Sequence, residues 1–227
     1  MGAGFQIKAK ANNEAEILIY EDVGEGWFGG VTAKQFAEDL KALGKIDIIN
    51  LRINSAGGDV FDGLAIYRRL VDHPAKVITH VDGLAASIAS VIAMAGDEIR
   101  ISESGFLMIH NAWGVAIGSA EDMRTMAGLL ETTTAAINDV YAARTKNKTD
   151  QIKKWMDAET WFTGADAVKE GFADSVVANL RVAAHIDNDK HKFKRAPSAL
   201  TGRPALAKAS EAVSRMRGMI DRRRSAA

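Results

Sequence analysis

A serine lies where a predicted strand gives way to a predicted helix. The run from Ile78 to Val81 is typical of a strand, and the run from Ile88 to Met94 is typical of a short apolar helix. Ser87 stands between them, in the stretch Gly83-Leu-Ala-Ala-Ser-Ile-Ala-Ser. The first N–H groups of a helix lack partners within the helix and stabilise negative charge that develops beside them. Serine is also a common N-cap, so this position alone is consistent with a nucleophile or with a cap.

Two further segments could complete the chemistry of a serine nucleophile. Upstream lies a double-glycine turn, Gly57-Gly58, between a predicted strand and a predicted helix. Downstream, His110 interrupts the apolar run that begins at Phe106, 23 residues after Ser87. A serine nucleophile needs a general base within hydrogen-bond reach and backbone donors that point at the oxyanion. The three segments together carry residue types that could supply all of these parts.

The order and spacing of these segments resemble the Clp protease proteolytic subunit family. The motifs of that family are an NSPGG-type turn, a GxAAS serine and an MIH histidine. The chain carries Asn-Ser-Ala-Gly-Gly, Gly-Leu-Ala-Ala-Ser and Met-Ile-His at these places, with Ala56 where the family usually has proline. The resemblance runs from about Ile17 to Val177. It implies an α/β fold, a Clp protease/crotonase-like spiral of β-β-α units with a projecting long helix, and peptide hydrolysis by a Ser-His-acid triad.

The third catalytic residue is assigned from the same resemblance. The family carries an aspartate shortly before an aromatic residue and a serine or threonine. Alignment without gaps puts Glu159, at the start of Glu-Thr-Trp-Phe-Thr, in that place. A glutamate orients the imidazole in other Ser-His-acid hydrolases. The alternative is Asp157, which lies two residues earlier and on the same face if the segment is extended.

These residues define a mechanistic hypothesis. Ser87 attacks a peptide carbonyl, His110 takes its proton and passes it to the leaving amine, and Glu159 holds the imidazole in the required tautomer. The backbone N–H groups of Ile88 and Gly58 form the oxyanion hole, since a side chain at position 58 would crowd the substrate backbone. The predicted substrate-binding residues are Gly57 and Asn111.

The sequence offers no other recognisable catalytic centre. There is no H-E-x-x-H motif, which argues against a catalytic metal, and no phosphate loop or G-x-G-x-x-G, so no cofactor is predicted. Any ATPase that works with the protein would be a separate chain. Cysteine is absent, which excludes a thiol nucleophile and disulfides. His80 is interpreted as structural, and the remaining histidines are interpreted as surface or tail residues: His73, His185 and His191.

Charge divides the chain near residue 180. Residues 181–227 carry twelve Lys or Arg and four Asp or Glu, whereas residues 1–180 have an opposite excess of eight acidic residues. We therefore predict a serine protease domain over 1–180 and a basic, partly disordered or helical extension over 181–227. An alternative is that the extension binds an acidic protein or a nucleic acid. Its helical spacing of apolar residues supports that alternative, at Leu206, Ala209, Val213, Met216 and Ile220.

Alternating strand and helix patterns predict parallel strands joined by helical crossovers. The predicted strands include Ala15 to Glu21 and Ile46 to Ile53. A capping box at Thr32 to Gln35 and a cap at Asp59 each predict the start of a helix. A long helix is predicted from Ser119 to about Arg144, and a last helix is capped by Thr163 and ended by Gly171. No signal peptide and no apolar segment near the ~18 residues of a membrane span are visible, so a cytoplasmic protein without membrane contact is expected.

The resemblance is strongest for a prophage branch of the family whose members act as head maturation, or prohead, proteases. It rests on Glu-Thr-Trp-Phe-Thr, on Ser-Ala-Gly-Gly and on the charged extension. It implies scaffold and capsid proteins as substrates, in the bacterial host cell or within phage proheads, and a homo-oligomeric ring of seven that can stack. The alternatives are a housekeeping or accessory ATP-dependent subunit with a separate AAA+ unfoldase, a catalytically silent shell protein, and a crotonase-like acyl-CoA enzyme.

Overall fold

The computed structural model describes residues 5–25, 30–178 and 186–201. Eight strands in these ranges form one sheet. They are β1 (Phe5–Ala9), β2 (Glu14–Ile19), β3 (Ile48–Ser55), β4 (Lys76–Ala86), β5 (Glu98–Ser102), β6 (Phe106–Ile109), β7 (Thr160–Thr163) and β8 (Ser175–Val177). The helices are α1 (Ala33–Ala42), α2 (Val60–Val71), α3 (Ile88–Ala93), α4 (Ala120–Thr145), α5 (Thr149–Asp157), α6 (Gly164–Lys169), α7 (Asn188–His191) and α8 (Ser198–Thr201).

The sheet runs in the order β1-β2-β3-β4-β5-β8 and is mostly parallel. Strand β4 is long enough to pair with two different neighbours. Its residues Ile78–Val81 lie beside β5, and its last residues, Leu84–Ala86, lie beside Phe106–Met108 of β6. Strand β7 then pairs antiparallel with β6. The carboxyl ends of β4 and β6 therefore meet, which confirms the predicted α/β architecture and places the two candidate catalytic segments side by side.

The sheet is covered by helices that bury alternate residues of its central strands. In β2 and β3 every second side chain is buried, including Ile17, Ile19, Leu51 and Ile53. This alternation is the period of two that a half-covered strand shows. The buried faces of α1 and α2 pack against it through Phe36, Leu40, Ile66 and Leu70.

The helix starts follow local capping chemistry. The side chains of Ser119 and Asp122 form a reciprocal capping box at the start of α4, and Thr163 forms another with Asp166 at α6. Asp59 accepts the N–H groups of residues 61 and 62 at the start of α2. At α1 the predicted box is only half formed. Thr32 accepts from the N–H of residue 35, but the Gln35 side chain donates to Asp39 instead.

Helix α4 is 26 residues long, and its two halves have different surroundings. Its buried side chains all lie in the second half, at Thr133, Ile137, Asn138 and Tyr141. Most of the first half is exposed. The helix is therefore anchored at its carboxyl end and projects from the body at its amino end, as predicted.

Two segments differ from the sequence-based expectations or extend them. Asp157 is the last residue of α5, so it does not lie in the extended segment on which its place as the alternative acid depended. Residues 186–201 pack against the body, with Ile186, Phe193 and Leu200 buried.

The predicted amphipathic stretch from Leu206 to Ile220 lies outside the described residues. No helix in the described part of the chain is long and apolar enough to cross a membrane.

Candidate active site

Ser87 joins the end of β4 to the start of α3 in a backbone conformation that non-glycine residues rarely adopt. Its φ is 53° and its ψ is −131°. Strained conformations of this kind concentrate at functional sites, where the surrounding structure holds them in place. The Ser87 N–H donates to the Met108 carbonyl over 3.0 Å. Ser87 occupies the N-cap position of α3, but its hydroxyl makes no capping hydrogen bond to the helix, so the side chain is not committed to a cap.

The hydroxyl of Ser87 instead contacts the imidazole of His110. Ser87 Oγ lies 2.8 Å from His110 Nε2. Pairing of Ala86 with Met108 between β4 and β6 produces this contact, because each candidate residue follows shortly after one of the two paired positions. Burial lowers the pKa of His110, the nearby Glu159 raises it, and Lys194 lowers it, with a net lowering from the usual 6.5. The imidazole is therefore neutral near pH 7, which is the state that accepts a proton from a hydroxyl.

The double-glycine turn lies against the serine. A Cβ atom at Gly57, whose φ is +103°, would lie 2.7 Å from Ser87 Cβ and 3.3 Å from the nitrogen of Ile88. At Gly58, with φ +144°, a Cβ would lie 2.1 Å from the Val23 carbonyl oxygen. The Val23 N–H donates to the Gly57 carbonyl over 2.8 Å and fixes the turn. Only glycine fits both positions, because real Cβ atoms do not approach so closely.

Two backbone N–H groups beside the serine remain available to a ligand. The N–H of Ile88 is among the first of α3 and has no acceptor within the helix. In the described ranges, no hydrogen bond from the N–H of Gly58 is found. The arrangement of a strained serine, a neutral histidine and free N–H donors matches the parts that acyl transfer requires.

Glu159 lies near His110 but makes no hydrogen bond to it in the described structure. It is buried, with 8% of its surface exposed, and its φ is 48°. Its carboxylate accepts the backbone N–H groups of Arg195 over 2.6 Å and Lys194 over 2.8 Å, and the Trp161 Nε1–H over 3.4 Å. Its charge nevertheless raises the pKa of His110. The contact between Glu159 and His110 is thus electrostatic.

The alternative acid, Asp157, is engaged elsewhere. It accepts from Asn111 Nδ2 over 2.9 Å and from Lys153 Nζ over 2.8 Å. Asn111 Oδ1 is buried and has no hydrogen-bond partner among the described residues. A substrate N–H could satisfy that oxygen, which is compatible with the predicted contact of Asn111 with substrate. No group of three or more His, Asp and Glu side chains in the described ranges could hold a metal ion.

The family model for Clp protease matches residues 3–180, which is most of the chain. The chain belongs to the Clp protease family. It is 35% identical over 145 residues to the ATP-dependent Clp protease proteolytic subunit 3 of Rhodococcus jostii, with 62% of this chain and 71% of that protein covered. It is 34% identical over 182 residues to proteolytic subunit 2 of Parasynechococcus marenigrum, with 79% and 91% covered.

A solved structure has the same fold as this Clp-family chain. It is a ClpP1 mutant from Listeria monocytogenes, with a TM-score of 0.63 and 23% sequence identity. The match covers 72% of this chain and 91% of that one. At this identity the likeness concerns the fold.

A cavity of about 280 Å³ opens beside the serine and the histidine of this Clp-family protein. One wall is apolar and comes from α3 and α4, including Val91, Met126, Leu130 and Ile137. An apolar wall of this kind can accommodate an apolar group of a ligand.

Two further residues of the cavity lining were not assigned to the site by the sequence analysis. Phe193 packs edge-on against the His110 ring, with 5.7 Å between centroids. His191 also lines the cavity, and its side chain is only 12% exposed, so this residue of the predicted extension packs against the site. No motif or spacing in the sequence links these two residues to the site, because their contacts depend on how a distant segment folds back.

Proposed function

We propose that this chain is a serine endopeptidase that cleaves peptide bonds with Ser87 as nucleophile and His110 as general base. The observation that carries the proposal is the 2.8 Å contact between Ser87 Oγ and His110 Nε2 at the start of α3. A neutral imidazole at this distance can remove the hydroxyl proton as a bond to carbon forms. The relatives named above are proteolytic subunits, which agrees with peptide hydrolysis.

In the proposed reaction, Ser87 Oγ bonds to the scissile carbonyl carbon while its proton moves to His110 Nε2. The carbonyl π electrons move to the oxygen, which becomes an oxyanion. The imidazolium then protonates the leaving amine as the C–N bond breaks, which leaves an acyl-enzyme on Ser87. Water, deprotonated by His110, hydrolyses that ester and restores the serine.

The oxyanion is proposed to bind the N–H groups of Ile88 and Gly58. Removal of one such donor costs about 10²–10³ in rate in other hydrolases. Gly57 is proposed to contact the substrate backbone, and the free oxygen of Asn111 is proposed to accept a substrate N–H. Glu159 is proposed as the acid of the triad, because its charge already stabilises the protonated form of His110.

Labelling with a fluorophosphonate tests the proposal. We expect covalent modification at Ser87, and we expect Ser87→Ala to lose labelling and about 10⁶-fold in peptidase rate, as in other triads. Ser175→Ala, in β8 and away from the cavity, is the matched control and retains both. Retention of more than about a tenth of the activity by Ser87→Ala would show that another group performs the chemistry.

The biological role that we propose is head maturation in a prophage, with scaffold and capsid proteins as substrates. It is supported by the Glu-Thr-Trp-Phe-Thr and Ser-Ala-Gly-Gly segments and by the charged extension after residue 180. The second candidate is a subunit that works with a separate AAA+ ATPase, and the names of the relatives, ATP-dependent Clp protease proteolytic subunits, favour it. Cleavage of a folded protein that requires such an ATPase and ATP would favour the second role.

We also propose that the chain assembles into a homo-oligomeric ring, and that the division at residue 180 separates a protease domain from a basic extension in a cytoplasmic protein. The projecting first half of α4 supports the ring, because it offers exposed apolar side chains at Met123 and Leu129. Light scattering of the purified chain measures the subunit number. A monomer at working concentrations would contradict the ring.

A further inference from the structure

Residues 186–201, named here the C-terminal strap, cross the candidate active site and touch it at several points. Three buried apolar residues anchor the strap. They are Ile186, Phe193 and Leu200, and they pack in one cluster with Ala56, Leu84, Ala86 and Met108 of the body. The Ile186 N–H donates to the Leu200 carbonyl over 2.9 Å, so the two ends of the strap are joined. The strap is thus a folded loop with its own apolar anchor.

The strap makes a specific contact with Glu159. Its backbone N–H groups at Lys194 and Arg195 donate to separate carboxylate oxygens, over 2.8 and 2.6 Å. Bonds from N–H groups to an ionised carboxylate are about twice as strong as neutral ones. Both oxygens of Glu159 are therefore held by the strap, and neither bonds to His110.

The strap also covers the imidazole and holds the opposite side of the site. Phe193 lies edge-on to His110 and, at 5.5 Å between centroids, to Trp161. Just before Phe193 in the chain, Lys190 forms an ion pair with Asp22, and His191 Nε2 lies 3.4 Å from the same carboxylate. Asp22 directly precedes Val23, which fixes the double-glycine turn. The strap therefore bridges the two sides of the nucleophile.

His110 and Glu159 face one shared cavity. It has a volume of about 390 Å³ and is lined by both residues together with His191, Lys192 and Lys194 of the strap. Open space therefore lies next to both the imidazole and the carboxylate, although N–H groups of the strap donate to both carboxylate oxygens. Among the described residues, withdrawal of the strap would leave the Glu159 carboxylate with only the Trp161 Nε1–H as a donor.

We propose that the strap is an autoinhibitory latch: docked, it holds Glu159 away from His110, and released, it allows Glu159 to bond to the imidazole and opens the cavity wall made by Phe193. Glu159 is a positioning residue in this scheme, because it acts through His110. The proposal rests on the proposed peptidase function. It adds that the described conformation is a restrained one and that the chain itself contains the restraint.

The test removes one strap N–H in the full-length chain. Arg195→Pro lacks the N–H that bonds to Glu159, since proline has no backbone donor. Arg195→Ala is the matched control, because it removes the side chain and keeps the N–H. We expect Arg195→Pro to raise the rate of fluorophosphonate labelling at Ser87 by about 5- to 150-fold, the usual range for coupling between two sites. Arg195→Ala should label at the rate of the unaltered chain.

A second measurement reports strap release independently of activity. The chain has no cysteine, so Leu200→Cys introduces a single thiol at a buried strap position. We expect thiol reagents to modify this thiol faster when Arg195→Pro is also present than when Arg195 is unchanged. Phe193→Ala, which removes one of the three apolar anchors, should give the same two changes by a separate route.

The outcomes separate the latch from the peptidase. If the unaltered chain is labelled and the released variants are labelled equally or more slowly, the latch is overturned and the peptidase stands. If the thiol stays protected in both variants, the contacts named here do not hold the strap, which also overturns the latch. If neither the unaltered nor the released chain is labelled at Ser87, the peptidase proposal fails and the latch fails with it.

Discussion

The hydroxyl of Ser90 lies 2.7 Å from the hydroxyl of Tyr141 in the interior of the protein. Ser90 Oγ also donates towards the carbonyls of Ser87 and Met108, over 2.6 and 3.0 Å. Carbonyls only accept, so the Ser90 proton is committed to them and Tyr141 must donate to Ser90. Burial raises the pKa of Tyr141, which keeps the phenol protonated for this purpose. Helix α4 is thereby tied to the strained turn that carries the candidate nucleophile.

Tyr141→Phe removes this tie without changing the shape of the core. We expect the free energy of unfolding to fall by about 1 kcal/mol, the usual contribution of one hydrogen bond. We also expect slower fluorophosphonate labelling, because the turn at Ser87 loses part of its support. Urea unfolding measures the first effect. Tyr67→Phe is the control, since no hydrogen bond from the half-buried Tyr67 hydroxyl is found in the described ranges. Equal stability of the two variants would show that the Tyr141 hydroxyl contributes nothing.

The pH dependence of peptide cleavage should report the charges around His110. The base must be neutral, so kcat/KM rises as pH increases through the pKa of His110, and burial holds that pKa below 6.5. Glu159→Gln removes a charge that raises this pKa, so the acid limb of the profile should move to lower pH. Lys194→Ala removes a charge that lowers it, so the limb should move to higher pH. Shifts of both variants in the same direction would contradict this electrostatic assignment.

Local sequence signals predicted the parts of the fold that depend on neighbours in the chain. Ser119 and Thr163 begin their helices with reciprocal capping boxes, and Asp59 caps α2. These bonds span two or three residues, so the residue types alone indicate them. Ser87 and His110 lie 23 residues apart. Their proximity was predicted from the resemblance of their motifs to those of the Clp protease family.

Helix α5 was not predicted from the sequence, because its residues follow a longer helix with only a short break.

Contacts between distant segments of the chain could not be predicted from local residue patterns. The engagement of Glu159 by Lys194 and Arg195 joins positions about 35 residues apart through backbone N–H groups, which every residue except proline carries. Side-chain identity therefore gave no signal. The sequence also gave no indication of where Phe193 packs, since it is a lone aromatic residue in a basic segment.

Alanine at the double-glycine turn should damage the site more than the rest of the fold. In Gly57→Ala the new Cβ would lie 2.7 Å from Ser87 Cβ and 2.8 Å from the Ala86 carbonyl oxygen, at a φ of +103°. The serine must shift, so we expect a loss of about 10²-fold or more in kcat, comparable with loss of an oxyanion donor. A fluorogenic peptide assay measures the change.

Gly128→Ala is the control for this substitution. Gly128 lies within α4, and nothing stands within 4 Å of its added Cβ. Alanine is better than glycine in a helix by about 0.5–1 kcal/mol, so this variant should be more stable and equally active. Equal activity of both variants would mean that the turn does not approach the nucleophile as described.

An ion pair between Arg52 of β3 and the buried Asp82 of β4 joins two central strands of the sheet. Arg52 donates to Asp82 through Nε over 2.9 Å and through a terminal nitrogen over 2.5 Å, and the Asp82 side chain is 2% exposed. Tyr20 donates to the same carboxylate. Burial, together with Asp82, raises the pKa of Tyr20 to about 12, so the phenol remains a donor. Asp82 thus depends on two partners for compensation of its buried charge.

Arg52→Met leaves that charge with Tyr20 alone. We expect the free energy of unfolding to fall by about 3–5 kcal/mol, the usual cost of an uncompensated buried charge. Addition of Asp82→Asn should recover part of this loss, because the neutral amide needs no cation. Arg68→Met is the matched control, since its pair with Asp72 is 69% and 52% exposed and such pairs contribute about 0–1 kcal/mol. Urea unfolding at one protein concentration compares the variants. If the effects of Arg52→Met and Asp82→Asn simply add, the two side chains are not coupled in the folded protein.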